Sequence, residues 1–197
     1  VAFKKLKAGS DIDATIDATA KNAGELDIHF SPPRENRLKV MLCMDVGGSM
    51  DPFANLVSRL FSAAHQASHF REFTPLYFHN CIYSQLYPTA RLRDGTTTLE
   101  ILRRHQPETR LIIVGDAHMA PYELTSRYGA IDYWHQNEVD GHTWLLRLKN
   151  HFHKVVWLNP IPRRFWNHPT IHLIGQTFPM YELTLAGLEE AIESLHG

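Results

Sequence analysis

The segment Leu38-Lys-Val-Met-Leu-Cys-Met44 is apolar at all but one position and passes at once into Asp45-Val-Gly-Gly-Ser-Met50. A strand with one wet face alternates polar and apolar residues, whereas a near-continuous apolar run marks a strand covered on both sides, as in the middle of a parallel sheet. Parallel neighbours need crossover segments, usually helices, to join them. The run Leu111 to Gly115 (LIIVG) repeats the pattern and again meets an aspartate, Asp116. Together the two segments predict an α/β chain with an open, mostly parallel, Rossmann-like sheet and helices on both faces.

Other segments supply the crossovers and outer strands that such a sheet needs. A helix is expected from about Pro52 to Phe70, with Leu56, Leu60, Ala63, Ala64 and Ala67 at helical spacing, followed by strands at Pro75 to His79 and Cys81 to Tyr87, close enough for a hairpin. Gly95 to Arg104 reads as a short helix whose opening threonines can cap free N–H groups. Tyr122 to Gln136 reads as irregular and aromatic, and Gly141 to His151 as an amphipathic helix. Lys154 to Leu158 and Thr170 to Ile174 read as further strands. Leu183 to Leu195 closes the chain as a helix, with Leu185, Leu188, Ala191, Ile192 and Leu195 as its apolar stripe. Residues 1–36 fit the repeat less well. Asp11 to Lys21 reads as a short helix and Leu26 to Phe30 as an edge strand, so an N-terminal arm over 1–36 is expected beside one domain over 37–197.

Composition narrows the functional classes. Twenty Lys and Arg against 21 Asp and Glu give a formal charge of −1, so no bulk field draws the chain to nucleic acid or an anionic membrane. A partner must be recognised locally. Two cysteines exclude a disulfide framework or a four-cysteine zinc site, and Cys43 and Cys81 read as buried thiols of a reducing compartment. No segment approaches the ~20 apolar residues of a membrane helix, and the start, Val1-Ala-Phe-Lys-Lys, lacks a secretory apolar region. A cytoplasmic location is therefore expected.

The segment that carries chemistry follows the first strand. In open α/β sheets, ligands bind beyond the carboxyl ends of the strands. There Asp45 supplies a carboxylate, Gly47 and Gly48 allow a sharp turn, and Ser49 brings a hydroxyl near a helix start. Asp94-Gly-Thr-Thr-Thr-Leu99 offers further hydroxyls, and Asp116 follows the second buried strand. Two carboxylates, two hydroxyls and waters suit one hard cation such as Mg²⁺, or alternatively Mn²⁺ or Ca²⁺, in an octahedral shell open to an outside ligand. His118, two residues past Asp116, is a candidate for the rim, and Asn159, at the end of the strand before Pro160, is another.

These residues resemble a family. Asp-x-Gly-Gly-Ser-Met after an apolar strand, a Gly-Thr-Thr loop and a distal strand-end Asp are similar to the metal-ion-dependent adhesion site (MIDAS) of von Willebrand factor A (VWA) domains. The longer words DIDATIDATAKNAGELDIHF, FHNCIY, VGDAHMAPYEL and WLNP resemble bacterial CoxE-like VWA proteins over nearly the whole chain. The resemblance implies that Asp45, Ser49, one of Thr96 or Thr97, and Asp116 hold the cation. Thr97 is preferred because Thr98 and Leu99 follow it as in the family's loop. The family's motif has Ser where this chain has Gly47, so a water would replace one hydroxyl ligand. The resemblance also implies a non-enzymatic adaptor whose partner completes the metal shell with a carboxylate. That partner would be a MoxR-type AAA+ ATPase or its target, in the maturation or activation of another enzyme.

Other readings compete. A Mg²⁺-dependent phosphatase or hydrolase would use Asp45 as a nucleophile, but such sites want a second acid two residues on, where Gly47 stands. A serine hydrolase built on Ser49 lacks the last glycine of Gly-x-Ser-x-Gly, since Asp51 is there. His65 and His69 lack the Glu of a zinc protease motif, Gln66 standing in its place. A structural domain with a vestigial metal site is the remaining alternative.

Overall fold

The structure, a computed structural model, describes residues 39–59, 72–131 and 137–196. The expected arm and most of the first long helix, with His65 and His69, lie outside the described residues.

The core is a five-stranded sheet in the order β2-β1-β5-β6-β7, in which every neighbouring pair is parallel. Its strands are β1 (Lys39–Asp45), β2 (Glu72–Phe78), β5 (Arg110–Val114), β6 (Val155–Asn159) and β7 (Met180–Glu182). Strands β3 (Gln85–Leu86) and β4 (Thr96–Thr97) form a small antiparallel pair. Among the described residues the α-helices described at both ends are α1 (Thr98–Arg104), α2 (Pro121–Thr125), α3 (Gly141–His151), α4 (Pro169–Thr177) and α5 (Leu185–His196).

Alternate residues of the central strands feed two cores, which is why both apolar runs are continuous. Met41, Cys43, Leu111, Ile113 and Trp157 face a layer made by α1 to α4, through Ile101, Leu124, Trp144, Leu145, Leu148, Ile171 and Ile174. Val40, Leu42, Met44, Ile112, Val114, Val156 and Leu158 face the opposite layer, where Met50, Val57, Ala191 and Leu195 pack. Helices therefore cover both faces, and the fold is the Rossmann-like open α/β sheet expected from the sequence. Cys43 and Cys81 are both buried and unpaired, and burial pushes the Cys43 thiol up to about 12.

Several boundaries differ from the sequence reading. Thr170 to Ile174 is not a strand but the interior of α4. Its β-branched residues mimic a strand, yet Pro169 opens the helix and Thr170, Ile171, Ile174 and Thr177 are buried at helical spacing. The strand of that region is instead β7, which begins three residues after α4 ends. Tyr122 to Gln136 is not wholly irregular, since α2 begins at Pro121. The hairpin after β2 is reduced to two isolated antiparallel bridges, Tyr77 with Tyr87 and His79 with Cys81, and β3 pairs with β4 instead. The turn after β1 opens as a 3₁₀ segment, Gly48–Phe53, before residues 54–59 become α-helical. On α5, Leu185 and Ile192 are exposed, and Gly187 joins Ala191 and Leu195 on the buried side.

The strand order decides where a ligand can sit. From β1 the chain goes to β2 on one side, and β5 then forms on the other. The switch point is the crevice beyond the carboxyl ends of β1 and β5, where connections diverge and leave space. In register, Met44 pairs with Val114. Asp45 consequently stands opposite Gly115, and Asp116 is the next residue on β5's side.

Candidate metal centre

Asp45 and Asp116 are only 5% and 3% exposed. Asp45 Oδ1 accepts a hydrogen bond from the Asn80 N–H at 2.8 Å. Asp116 Oδ1 accepts from the His118 N–H at 2.9 Å. Gly115 makes the close approach possible: a Cβ there would lie 3.1 Å from Asp45 Cβ and 3.3 Å from its Oδ2. Burial drives the Asp45 carboxyl well above the usual carboxylate range, opposed by the Asn80 N–H, and the negative charges of Asp116 and Glu123 push the same way as burial. The ion pairs of the described residues, Lys39–Glu72 and Arg104–Glu100, bring no cation to these acids.

The turn that carries Gly47 is gripped from β2. Val46 N–H donates to Phe78 O at 3.0 Å, and His79 Nδ1 donates to Val46 O at 2.7 Å, the carbonyl being able only to accept. Gly47 has φ +83°, and a Cβ on it would meet the His79 ring at 3.4 Å. The absence of the family's serine hydroxyl is therefore built into the backbone, since a side chain at that φ is strained. Ser49 is exposed at the start of the turn.

The threonine loop is engaged differently. Thr97 caps α1, its Oγ1 accepting from Glu100 N at 3.2 Å. Thr96 pairs with Leu86 in the small sheet. Thr98 is buried and donates to Tyr83 O at 2.6 Å, while its N–H donates to Ser84 O. Asp45 and Asp116 thus come together at the switch point, whereas the bonds of the threonines lead to Tyr83, Ser84, Leu86 and Glu100.

Asn159 is not a rim residue. It is 0% exposed, donates through Nδ2 to Asp116 O at 2.8 Å and accepts from Ile161 N through Oδ1 at 2.8 Å. It braces the Asp116 loop from below. That loop turns through Ala117 at φ +57°, and the Thr170 hydroxyl donates to Ala117 O at 2.7 Å, a second brace. The His118 side chain is exposed, as a rim residue would be, with its ring centroid 4.1 Å from that of His168.

Glu123 does not stand out in the sequence, whereas His79-Asn80 at a strand end reads there as a turn that can face the site. Glu123, 4% exposed, accepts from Asn80 Nδ2 at 2.9 Å through Oε2 and from Ala120 N at 3.0 Å through Oε1. Asn80, a turn residue by its position beside His79, takes φ +56° and joins Asp45 to Glu123. The signal for Glu123 is present in Pro121-Tyr122-Glu123, a proline at the helix start with an acid in the first turn.

The residues fit a hard cation. Two buried carboxylates with no positive partner among the described residues oppose each other, and a divalent ion between them would remove that opposition. Among the described residues no group of three or more His, Cys, Asp or Glu side chains is arranged to hold a metal. A cation at this edge would take its remaining ligands from hydroxyls, water or another molecule.

A family model of VWA domain containing CoxE-like proteins matches residues 3–170. The chain belongs to this family. No curated protein and no solved structure matches it. For a CoxE-like VWA protein the parallel sheet and switch-point crevice are the expected frame, and the family points to a role in protein interaction. No helix among the described residues is long and apolar enough to cross a membrane.

Proposed function

We propose that this chain is a metal-dependent adaptor that binds one Mg²⁺ at the β1/β5 switch point and, through it, a carboxylate of a protein partner. Asp45 and Asp116 are the charged ligands, Ser49 and Thr97 the hydroxyl ligands, and a water takes the position that Gly47 leaves without a side chain. The partner in this reading is a MoxR-type AAA+ ATPase or the enzyme it helps to mature, and the adaptor carries out no reaction itself. Cytoplasmic operation belongs to the same reading.

The observation that carries it is the pair of buried, mutually opposing aspartates at adjacent strand ends. A bound cation supplies the positive charge that lets a partner's carboxylate approach two acids. Without it the approach is repelled, so metal occupancy becomes a switch for binding.

The test is calorimetric titration of Mg²⁺ and Mn²⁺ into metal-stripped protein beside Asp45→Ala. One site in the wild type, lost in the variant, is expected. A hundredfold excess of metal over its dissociation constant should also raise stability by about 2.7 kcal/mol. Equal binding by both proteins would remove the cation from this edge.

A further inference from the structure

We infer that Glu123, acting through Asn80, is a positioning residue that ties the two aspartate loops together and so sets how well the crevice receives a cation. This rests on the metal-site reading above.

The bonds form one path. Asp116 begins the loop that leads into α2. At its far end Glu123 Oε1 takes the Ala120 N–H, closing that loop on itself at 3.0 Å. The other oxygen, Oε2, takes the Asn80 side-chain amide at 2.9 Å, and the Asn80 backbone N–H reaches Asp45 Oδ1 at 2.8 Å. The Tyr83 hydroxyl donates to the Glu123 carbonyl at 2.7 Å and anchors α2 from the chain just beyond Asn80. One carboxylate therefore links the strand-end loop of β5 with the strand-end loop of β1.

The chemistry of the link explains why an acid is buried where two other acids already lie. Both groups facing Glu123, the Ala120 N–H and the Asn80 amide, are donors, and a carboxylate is acceptor at both oxygens. Glutamine keeps both bonds only if the Asn80 amide turns over to offer its oxygen to the new NH₂, whereas an apolar side chain loses both. Asn80 needs the support because its φ of +56° is one that most residues avoid, although Asn tolerates it. If the Asn80 side chain is released, the N–H that orients Asp45 is released with it. Asn80 is one hydrogen bond removed from Asp45 and Glu123 two, and outer-shell partners of a metal ligand typically alter metal affinity by roughly 10–100-fold when changed.

The path can be broken and rebuilt by exchanging donor for acceptor. In the full chain, Glu123→Met removes both acceptors and Asn80→Asp sets two carboxylates against each other. The double variant Glu123→Gln with Asn80→Asp restores a hydrogen bond with reversed direction and unchanged total charge. Titration with Mn²⁺ should show about tenfold or greater weakening in each single variant and recovery to within about threefold of wild type in the double. Wild-type affinity in both single variants, or a double variant no better than the singles, overturns the inference while leaving the metal site standing.

A wild type that binds no Mn²⁺ refutes the metal reading itself, and with it any cation role for Glu123. Amide hydrogen exchange at Asn80 in metal-free protein then decides whether the link exists. Exchange at least about tenfold faster in Glu123→Met and in Asn80→Asp and restored in the double variant upholds the positioning of Asp45, and unchanged exchange overturns it.

Discussion

The aspartate loops and the threonine loop are held in different ways. The aspartate loops are held from all sides by tertiary bonds: Asn80 on Asp45, Asn159 and Thr170 on the backbone of the Asp116 loop, and His79 on the turn after Asp45. In the threonine loop the Thr97 hydroxyl caps its own helix, while the backbone is tied to β3 and Thr98 to Tyr83 and Ser84. The Asp45 carboxylate is preorganised by a residue distant in sequence, whereas the Asp116 carboxylate takes the His118 N–H two residues on and only its loop backbone is braced from afar. A hydroxyl, by contrast, has to share its oxygen between a helix cap and a ligand. The charge at the switch point is thus placed by the fold, while the Thr97 hydroxyl is placed by a local helix start.

The largest effect should come from the charge in the aspartate loops. In metal-free protein, Asp45→Asn is expected to raise stability at neutral pH, because it removes a buried acid opposed by Asp116 and Glu123. The sign follows from the raised folded-state pKa. The stability associated with protonated Asp45 is fully present below the unfolded-state value near 3.8 and is lost as pH rises toward the higher folded value. Denaturant titrations in a chelator across that window should therefore show a steeper loss with rising pH in wild type than in the variant. Parallel curves would mean that Asp45 is not the strained group.

Asn159→Ala attacks the brace under Asp116. It leaves a buried carbonyl and a buried N–H without partners, and should lower unfolding free energy by about 1–3 kcal/mol in denaturant melts. It should also weaken Mg²⁺ binding. A change confined to stability would separate the brace from the ligand geometry.

Next in size is Gly47→Ser, which supplies the family's hydroxyl at a backbone that resists it. Its cost at φ +83° should be about 1–2 kcal/mol in the absence of metal. An unchanged melting temperature would show that the turn re-forms around a side chain.

The smallest effect is expected at Thr97→Val, in the threonine loop. Loss of the cap should lower stability by about 1 kcal/mol. Mg²⁺ affinity measured on the same variant then says whether the hydroxyl also serves the metal: a drop supports the shared role, and an unchanged constant leaves Thr97 as a cap alone.

Much of this is legible in the chain. Leu38 to Met44 and Leu111 to Gly115 announce central parallel strands because both of their faces are buried, and an acid directly after such a run stands at a strand's carboxyl end. Gly141 to His151 is readable as a helix because its apolar spacing and its capping Asp140 agree. Thr170 to Ile174 looks like a strand because a short β-branched run has no decisive period, and tertiary burial on one helical face outweighs that resemblance. Asn159 looks like a rim residue because strand ends usually point outward, and only the packed structure engages both ends of its amide.

By itself the sequence determined the class of fold and the two strand-end aspartates, since each is stated by residues adjacent in the chain, and its resemblance to the family marked Gly47 as standing where a serine is usual. The order β2-β1-β5, which puts Asp45 beside Asp116, was decided only by the tertiary structure, as was the Glu123–Asn80 path between their loops. Strand order and buried hydrogen bonds join residues dozens of positions apart, and no local pattern records which distant partner completes an unpaired donor or acceptor.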